Sequence, residues 1–541
     1  MGLFRPDPLL YIGQLARPIP PLSTIPTLPD AEALEDVPLG SFFRRWDFVS
    51  QYNQDCLKPS EIEPWRCESD PLADRVVDQL GLIGFRSGKD AYEVVREYLD
   101  EKEPEGGQGW SQEERDEDVV WQFWQEMSSV PPDGVDGFCK TSLSDKTSPQ
   151  RTKPLGAFEK VEGNAPTLAE GQRVFWQYSG QIFVALMHFS LAGGFSSPKL
   201  ASVMHETNYL TSQAKEATYK RLLETTLFVL DAMSDMTIGT GRGWKSAMRV
   251  RLLHAQVRRR IVNGKGRYNS YSVERDGIPI NQADLLAVLG AFCVGPVWSM
   301  KRNGTPMTRR EIEAYQVAWR HVGYYLGIRP SLLARYYGST WETTESSFAS
   351  LAYAIFPSGP APADAFSTPQ YKILSAVSAR PPRGKPIGHH LELCRLCIGP
   401  KLAEQLSLPR GTWRDWCTVE TERLMSLGML TFGHLYSTYG GARGQRWETR
   451  RRDFFRLIVE VLVVWQLGQR RTVFAWRDEA SHGDKLGELE GEKSDLEFGE
   501  EAGARIRKEW RSLLLELGVV VGSLVTVTGA VVGLGVKRWI A

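Results

Sequence analysis

Between residues 170 and 330 the apolar side chains recur at steps of three and four, and the strict alternation of a half-buried strand is scarce. That periodicity confines the core to α-helices, expected near 198–210, 214–235, 246–262, 281–294 and 308–326. In SAMRVRLLHAQVRRRIV (246–262), Ala247, Val250, His254, Val257 and Ile261 share one face. The imidazole of His254 therefore points into an apolar interior and not along the basic side. A neutral imidazole in an apolar slot suits a haem-iron ligand, and it equally suits an ordinary core histidine. RLLETTLFVL (221–230) sets Arg221 and Thr225 one turn apart on one helix face. Such a pair serves haem propionates, bound oxygen or a buried carboxylate, or it is simply structural. His188, His205 and His321 are the rival ligands: one on a long apolar helix, one beside Glu206, one in WRHVG.

At 541 residues the chain has room for one large helical domain with appendages, or for two domains. Equal numbers of basic and acidic residues, 65 of each, argue against a nucleic-acid-binding protein. Cys56, Cys67, Cys139, Cys293, Cys394, Cys397 and Cys417 are odd in number and irregularly spaced, unlike a secreted disulfide framework. Cys394 and Cys397 form a CxxC below His389 and His390. No second pair completes a zinc site, and the flanking leucines suit a buried helix with structural thiols. GTGRGWKS (239–246) imitates a phosphate loop, but Trp244 stands where the second glycine is needed and no strand precedes it, so it reads as a helix–helix loop.

The Pro-rich segment 1–40 is expected to be extended, wrapping or dangling, and shows no signal peptide or complete myristoylation signal. Residues 41–169 form an N-terminal helical region with a turn-rich joint at 131–137. The principal helical domain spans 170–477. In it, 175–192 reads as a buried central helix, Asn281 as a helix cap, and 356–386 as a Pro-rich interruption. The basic cluster Arg249, Arg251, Arg258, Arg259 and Arg260 reads as a solvated face, or one set against headgroups or propionates. Residues 478–501 carry ten carboxylates against two lysines, so 478–505 reads as an acidic, solvated linker. Then LGVVVGSLVTVTGAVVGLGV (517–536) gives twenty uncharged residues with two GxxxG spacings. That length spans a bilayer, and Gly and Val make a poor helix in water, so a C-terminal transmembrane helix is expected. The sequon at Asn303 matters only if that face enters a lumen.

Several blocks carry a resemblance in register: GQRVFWQYSGQIFVALMHFSLAGGFSSPKLASVM (171–204), RLLETT (221–226), RLLHAQVR (251–258), GIPINQADLL (277–286) and AYQVAWRHVGYYLGI (314–328). LELCRLCIGPKLAEQLSLP (391–409) is a weaker echo. In this order they resemble the family of latex-clearing rubber oxygenases and ER-bound oxygenases of fungal meroterpenoid pathways. The resemblance implies an all-α fold, a globin-like helical core with additional helices, around haem b. It implies that His254 is the proximal iron ligand and that Arg221 and Thr225 shape the haem pocket, Arg221 also touching the cofactor. A carboxylate upstream of that arginine is proposed as a base in the rubber enzymes, and Glu206 is the nearest match. A distal lysine can precede the threonine there; here Glu224 stands in its place and Lys220 is the nearest lysine. The implied function is a membrane-anchored, haem-dependent oxygenase of specialised metabolism, at the endoplasmic reticulum. It would take O2 and a hydrophobic, unsaturated, prenylated substrate and cleave a C=C bond. A haem-dependent hydroxylase, and a non-catalytic tethered protein that binds a lipid or partner, remain open.

Overall fold

The computed structural model describes residues 9–84, 88–102, 110–131, 166–207, 215–305, 307–356, 364–474 and 494–540, with side chains of the last helix described up to 523 and at 526. Helices dominate it, as the periodicity demands. The five expected in the regular region run Pro198–Thr207, Lys215–Ala232, Arg242–Val262, Gln282–Asn303 and Arg309–Tyr325. Their ends follow local chemistry. The Asn281 side chain accepts the Asp284 amide, and Gly304 stops the same helix in the left-handed region at φ 76°. Thr308 and Glu311 form a reciprocal capping box, as do Thr167 and Glu170 at the start of Leu168–Gln177.

The stretch 175–192 is largely buried, with Gly180 exposed. It continues Leu168–Gln177 through Ser179–Ala185 into a π-helical turn, Leu186–Gly193. Among the described residues, Gln282–Asn303 is the one helix long and apolar enough to cross a membrane, and it is largely buried within the fold. Leu168–Gln177 crosses Arg309–Tyr325 at backbone distance. A Cβ on Gly171 would collide with the Ala314 carbonyl oxygen, so glycine is what permits the approach.

Four expectations need correction. The region 41–169 is not helical throughout: β2 (Phe42–Arg45) and β3 (Phe48–Gln51) form a hairpin. Parallel to β3 lies β1 (Leu10–Ile12), giving the order β1-β3-β2. Strands of three or four residues are too short for alternation to register. They tie the first forty residues down, with Ile12, Ile25 and Leu34 buried.

The basic cluster is not a solvated face. Arg251 is buried against Asp70 at 2.6 Å, Arg258 meets Asp74 at 2.8 Å, Arg259 meets Asp78 at 2.6 Å and Arg249 meets Asp90 at 2.7 Å. Asp70 caps the Pro71–Gln79 helix, and the four-residue steps to Asp74 and Asp78 present three carboxylates along one side of it. The Pro-rich interruption contains a helix, Pro369–Val377, which proline starts at its first position. The acidic linker lies outside the described residues up to 493; beyond that Asp495 pairs with Arg242 at 2.9 Å and residues from Glu500 are already helical. The 131–137 joint falls almost wholly outside the described residues.

Toward the C-terminus, Trp413–Tyr439 and Gly441–Gln466 form a helical hairpin. The long helix Glu500–Ile540 lies against it through Leu513, Trp447 and Phe454, with Arg450 pairing to Glu509. Residues 517–536 are in that helix, but most of their side chains lie outside the described residues. Asn303 of the sequon is buried, and its carbonyl accepts from Arg423 at 3.0 Å.

Candidate active site

The inward stripes of the regular helices leave space between them. Val250, Leu253, His254 and Val257 come from Arg242–Val262, and Arg221, Thr225 and Phe228 from Lys215–Ala232. Asp284, Leu285, Val288 and Phe292 come from Gln282–Asn303, and Met204 and Trp319 from flanking helices. Together they enclose a predominantly apolar cavity of ≈ 270 Å³. Phe474 closes part of the wall from a segment after the helical hairpin, held in place where Arg471 reaches buried Asp231 at 2.7 Å. A second, smaller apolar cavity of ≈ 40 Å³ shares Phe195, Leu200, Val288 and Phe292 with the first.

His254 borders the cavity, and its Nδ1 is buried without a hydrogen-bond partner among the described residues. Burial, aided by the nearby Arg258 charge, pushes its pKa down to about 4. The ring is thus neutral at physiological pH, with an unspent nitrogen. Arg221 Nη1 bonds Glu224 at 2.8 Å, and the Thr225 hydroxyl donates to the Arg221 carbonyl at 3.0 Å. The structure therefore brings His254, Arg221 and Thr225 to one cavity wall.

The rival histidines lie elsewhere. His188 uses both ring nitrogens, on the Val184 carbonyl at 2.7 Å and on His390 at 3.2 Å. His205 is exposed and stacks on Tyr268. His321 is buried edge-on to Tyr325 and is not part of the cavity wall. Cys394 and Cys397 are buried thiols, and Cys394 donates to the His188 carbonyl at 3.1 Å.

Glu206 is not brought into the cavity. Its carboxylate accepts the amides of Tyr268, Asn269 and Ser270 and the Ser270 hydroxyl at 2.6–2.9 Å. Burial alone would raise its pKa; these bonds hold it below the usual range. It anchors a loop. Glu224 is buried beside Arg221, and neither it nor Lys220 lines the cavity. The carboxyl that does line it is Asp284, which sequence reasoning passed over because it reads as an ordinary first-turn helix acid. Burial pushes Asp284 up to about 7, against the Asn281 amide and the charges of Arg66 and Lys199. Phe474 also went unread, for no local pattern marks it.

Residues 176–428 match the model of the family described as ER-bound oxygenase mpaB/B'/rubber oxygenase, catalytic domain. The chain resembles this oxygenase family. The polar groups described on the cavity wall fall within the matched span, and Phe474 falls beyond it. Among solved structures, latex clearing protein in the closed state aligns at 15% identity and a TM-score of 0.42, covering 67% of this chain and 82% of that one. No curated protein matches significantly.

Proposed function

We propose that this chain is a haem-dependent oxygenase that takes O2 and a hydrophobic, unsaturated substrate and cleaves a C=C bond into two carbonyl products. The observation that carries the reading is a neutral histidine with an unspent ring nitrogen in the wall of a largely apolar cavity. Those residues fit haem. A flat macrocycle needs apolar walls, and its iron needs one neutral nitrogen, which His254 would supply. Arg221, on the neighbouring helix and paired with Glu224, is the cation in this wall that would face a propionate. When bound, haem would supply the redox centre that activates dioxygen.

The chain's own residues do the rest. The aromatic and aliphatic wall excludes water and desolvates an alkene. Arg221 and Thr225 orient a polar atom at the wall. Arg221 is itself held by buried Glu224, which fixes its direction. The membrane reading rests on the uncharged run 517–536 and on exposed Leu515, Val519 and Val521 just before and within it. It makes this helix a single-pass anchor, in the endoplasmic reticulum by analogy with the matched family. A lipid-soluble prenylated substrate would concentrate there.

Turnover under ¹⁸O₂ tests the reaction. Two carbonyl fragments, each carrying one label, are expected. An intact carbon skeleton bearing a labelled hydroxyl would overturn cleavage in favour of hydroxylation.

A further inference from the structure

Among the described residues the cavity has five polar side chains in its wall, and four of them are basic or neutral: Thr207, Arg221, Thr225 and His254. The fifth, Asp284, is its sole carboxyl among the described residues. Its helix places it there firmly, because the Asn281 side chain caps the Asp284 amide at 2.9 Å. Its immediate neighbours in the wall, Ile280, Leu285 and Val288, are apolar. Among the described residues no cation comes within ion-pair range of it. Arg66 is spent on Glu63 at 3.0 Å and on the Arg275 carbonyl, and Lys199 reaches the Ala354 carbonyl at 3.4 Å.

A carboxylate held by one backbone amide, that of Asn281, and no cation is costly in such a wall, whereas a neutral carboxylic acid is tolerated and carries one O–H donor. Resting on the oxygenase reading, we propose that Asp284 donates a hydrogen bond to one oxygen atom of the substrate. The substrate class is then an unsaturated hydrocarbon chain bearing a carbonyl, ether or hydroxyl oxygen, not a pure hydrocarbon. A buried site built to hydrogen-bond discriminates strongly against an analogue that lacks the partner.

The groups facing Asp284 are Arg66 at the end of the Pro59–Arg66 helix, Lys199 on Pro198–Thr207, Tyr271 in the loop before Val273, and the Asn281 amide. Burial moves the acid's midpoint to about 7, so the O–H donor is present in mildly acid solution and lost in alkali.

The test compares equilibrium binding of a radiolabelled isoprenoid ketone with that of the hydrocarbon of equal length, using the purified full-length protein. Neither haem absorbance nor turnover enters the readout. Wild type should prefer the ketone by about tenfold at pH 6, the value of one net hydrogen bond, and lose the preference at pH 9. Asp284→Leu should show no preference at either pH. Asp284→Asn retains an N–H donor and cannot ionise, so its preference should be independent of pH. A ketone preference in wild type that ignores pH, or one that survives Asp284→Leu, would overturn the proposal. The melting temperature of each variant separates misfolding from lost recognition. Absence of a haem spectrum with this preference intact would sink the cofactor reading and leave this one standing.

Discussion

Arg251 illustrates how little a single residue type says before its surroundings are known. On the sequence it belongs to a basic stripe; in the fold it is buried between Asp70 and Glu126. Removing Asp70 takes away the buried partner and leaves Arg251 only the more exposed Glu126 at 2.7 Å. Asp70→Ala should therefore cost about 3–5 kcal/mol, read as a fall in the urea midpoint. Asp70→Ala with Arg251→Met should recover much of that loss, and equal destabilisation in both variants would contradict the pairing. His254 was legible because apolar neighbours at helical spacing fix which way a side chain points. Asp284 was not, because its character depends on enclosure by residues far away in the chain, Arg66 and Lys199 among them. Glu206 was chosen by proximity to an arginine motif, and its carboxylate is spent on the loop at 268–270.

Among the elements, helices of the central region were readable from period, caps and stops, since those signals are local. The Asp70–Asp74–Asp78 ladder was not, for its partners lie 181–184 residues away. The contact between Leu168–Gln177 and Arg309–Tyr325 also escaped pattern, although it hinges on one glycine. Gly171→Ala must push its Cβ into the Ala314 carbonyl. Overpacking of this kind costs about 1–3 kcal/mol, and a lowered thermal midpoint is expected. An unchanged midpoint would mean that the helices stand further apart. Asn281→Ala removes the cap that sets the register of Asp284, with an expected loss of about 1 kcal/mol in chemical unfolding.

At the scale of the whole molecule, four histidines are held neutral by burial, their pKa values pushed down to about 3 for His188 and His321 and to about 4 for His254 and His390. An unfolded histidine takes up its proton near ~6.5. Between that value and the folded one the unfolded chain binds more protons, so stability falls as pH drops. It is fully present above ~6.5 and drains away toward pH 4 and below. Asp284, raised to about 7, acts in the opposite direction as pH rises from ~4 to 7, as do Asp231 and Asp74, which burial also raises, while His389 is lowered like the other buried rings. Thermal midpoints should therefore decline from pH 7 to pH 5, before most carboxylates titrate. A flat profile over that range would contradict the burial of these rings.

The central claim is that His254 holds haem iron in the cavity, and the absorption spectrum tests it most directly. Full-length protein produced with ample haem should show a Soret band, and His254→Ala should lose it while keeping its fold by circular dichroism. His188→Ala, His205→Ala and His321→Ala should retain it. A Soret band that persists in His254→Ala, or none in the wild type, would contradict the account.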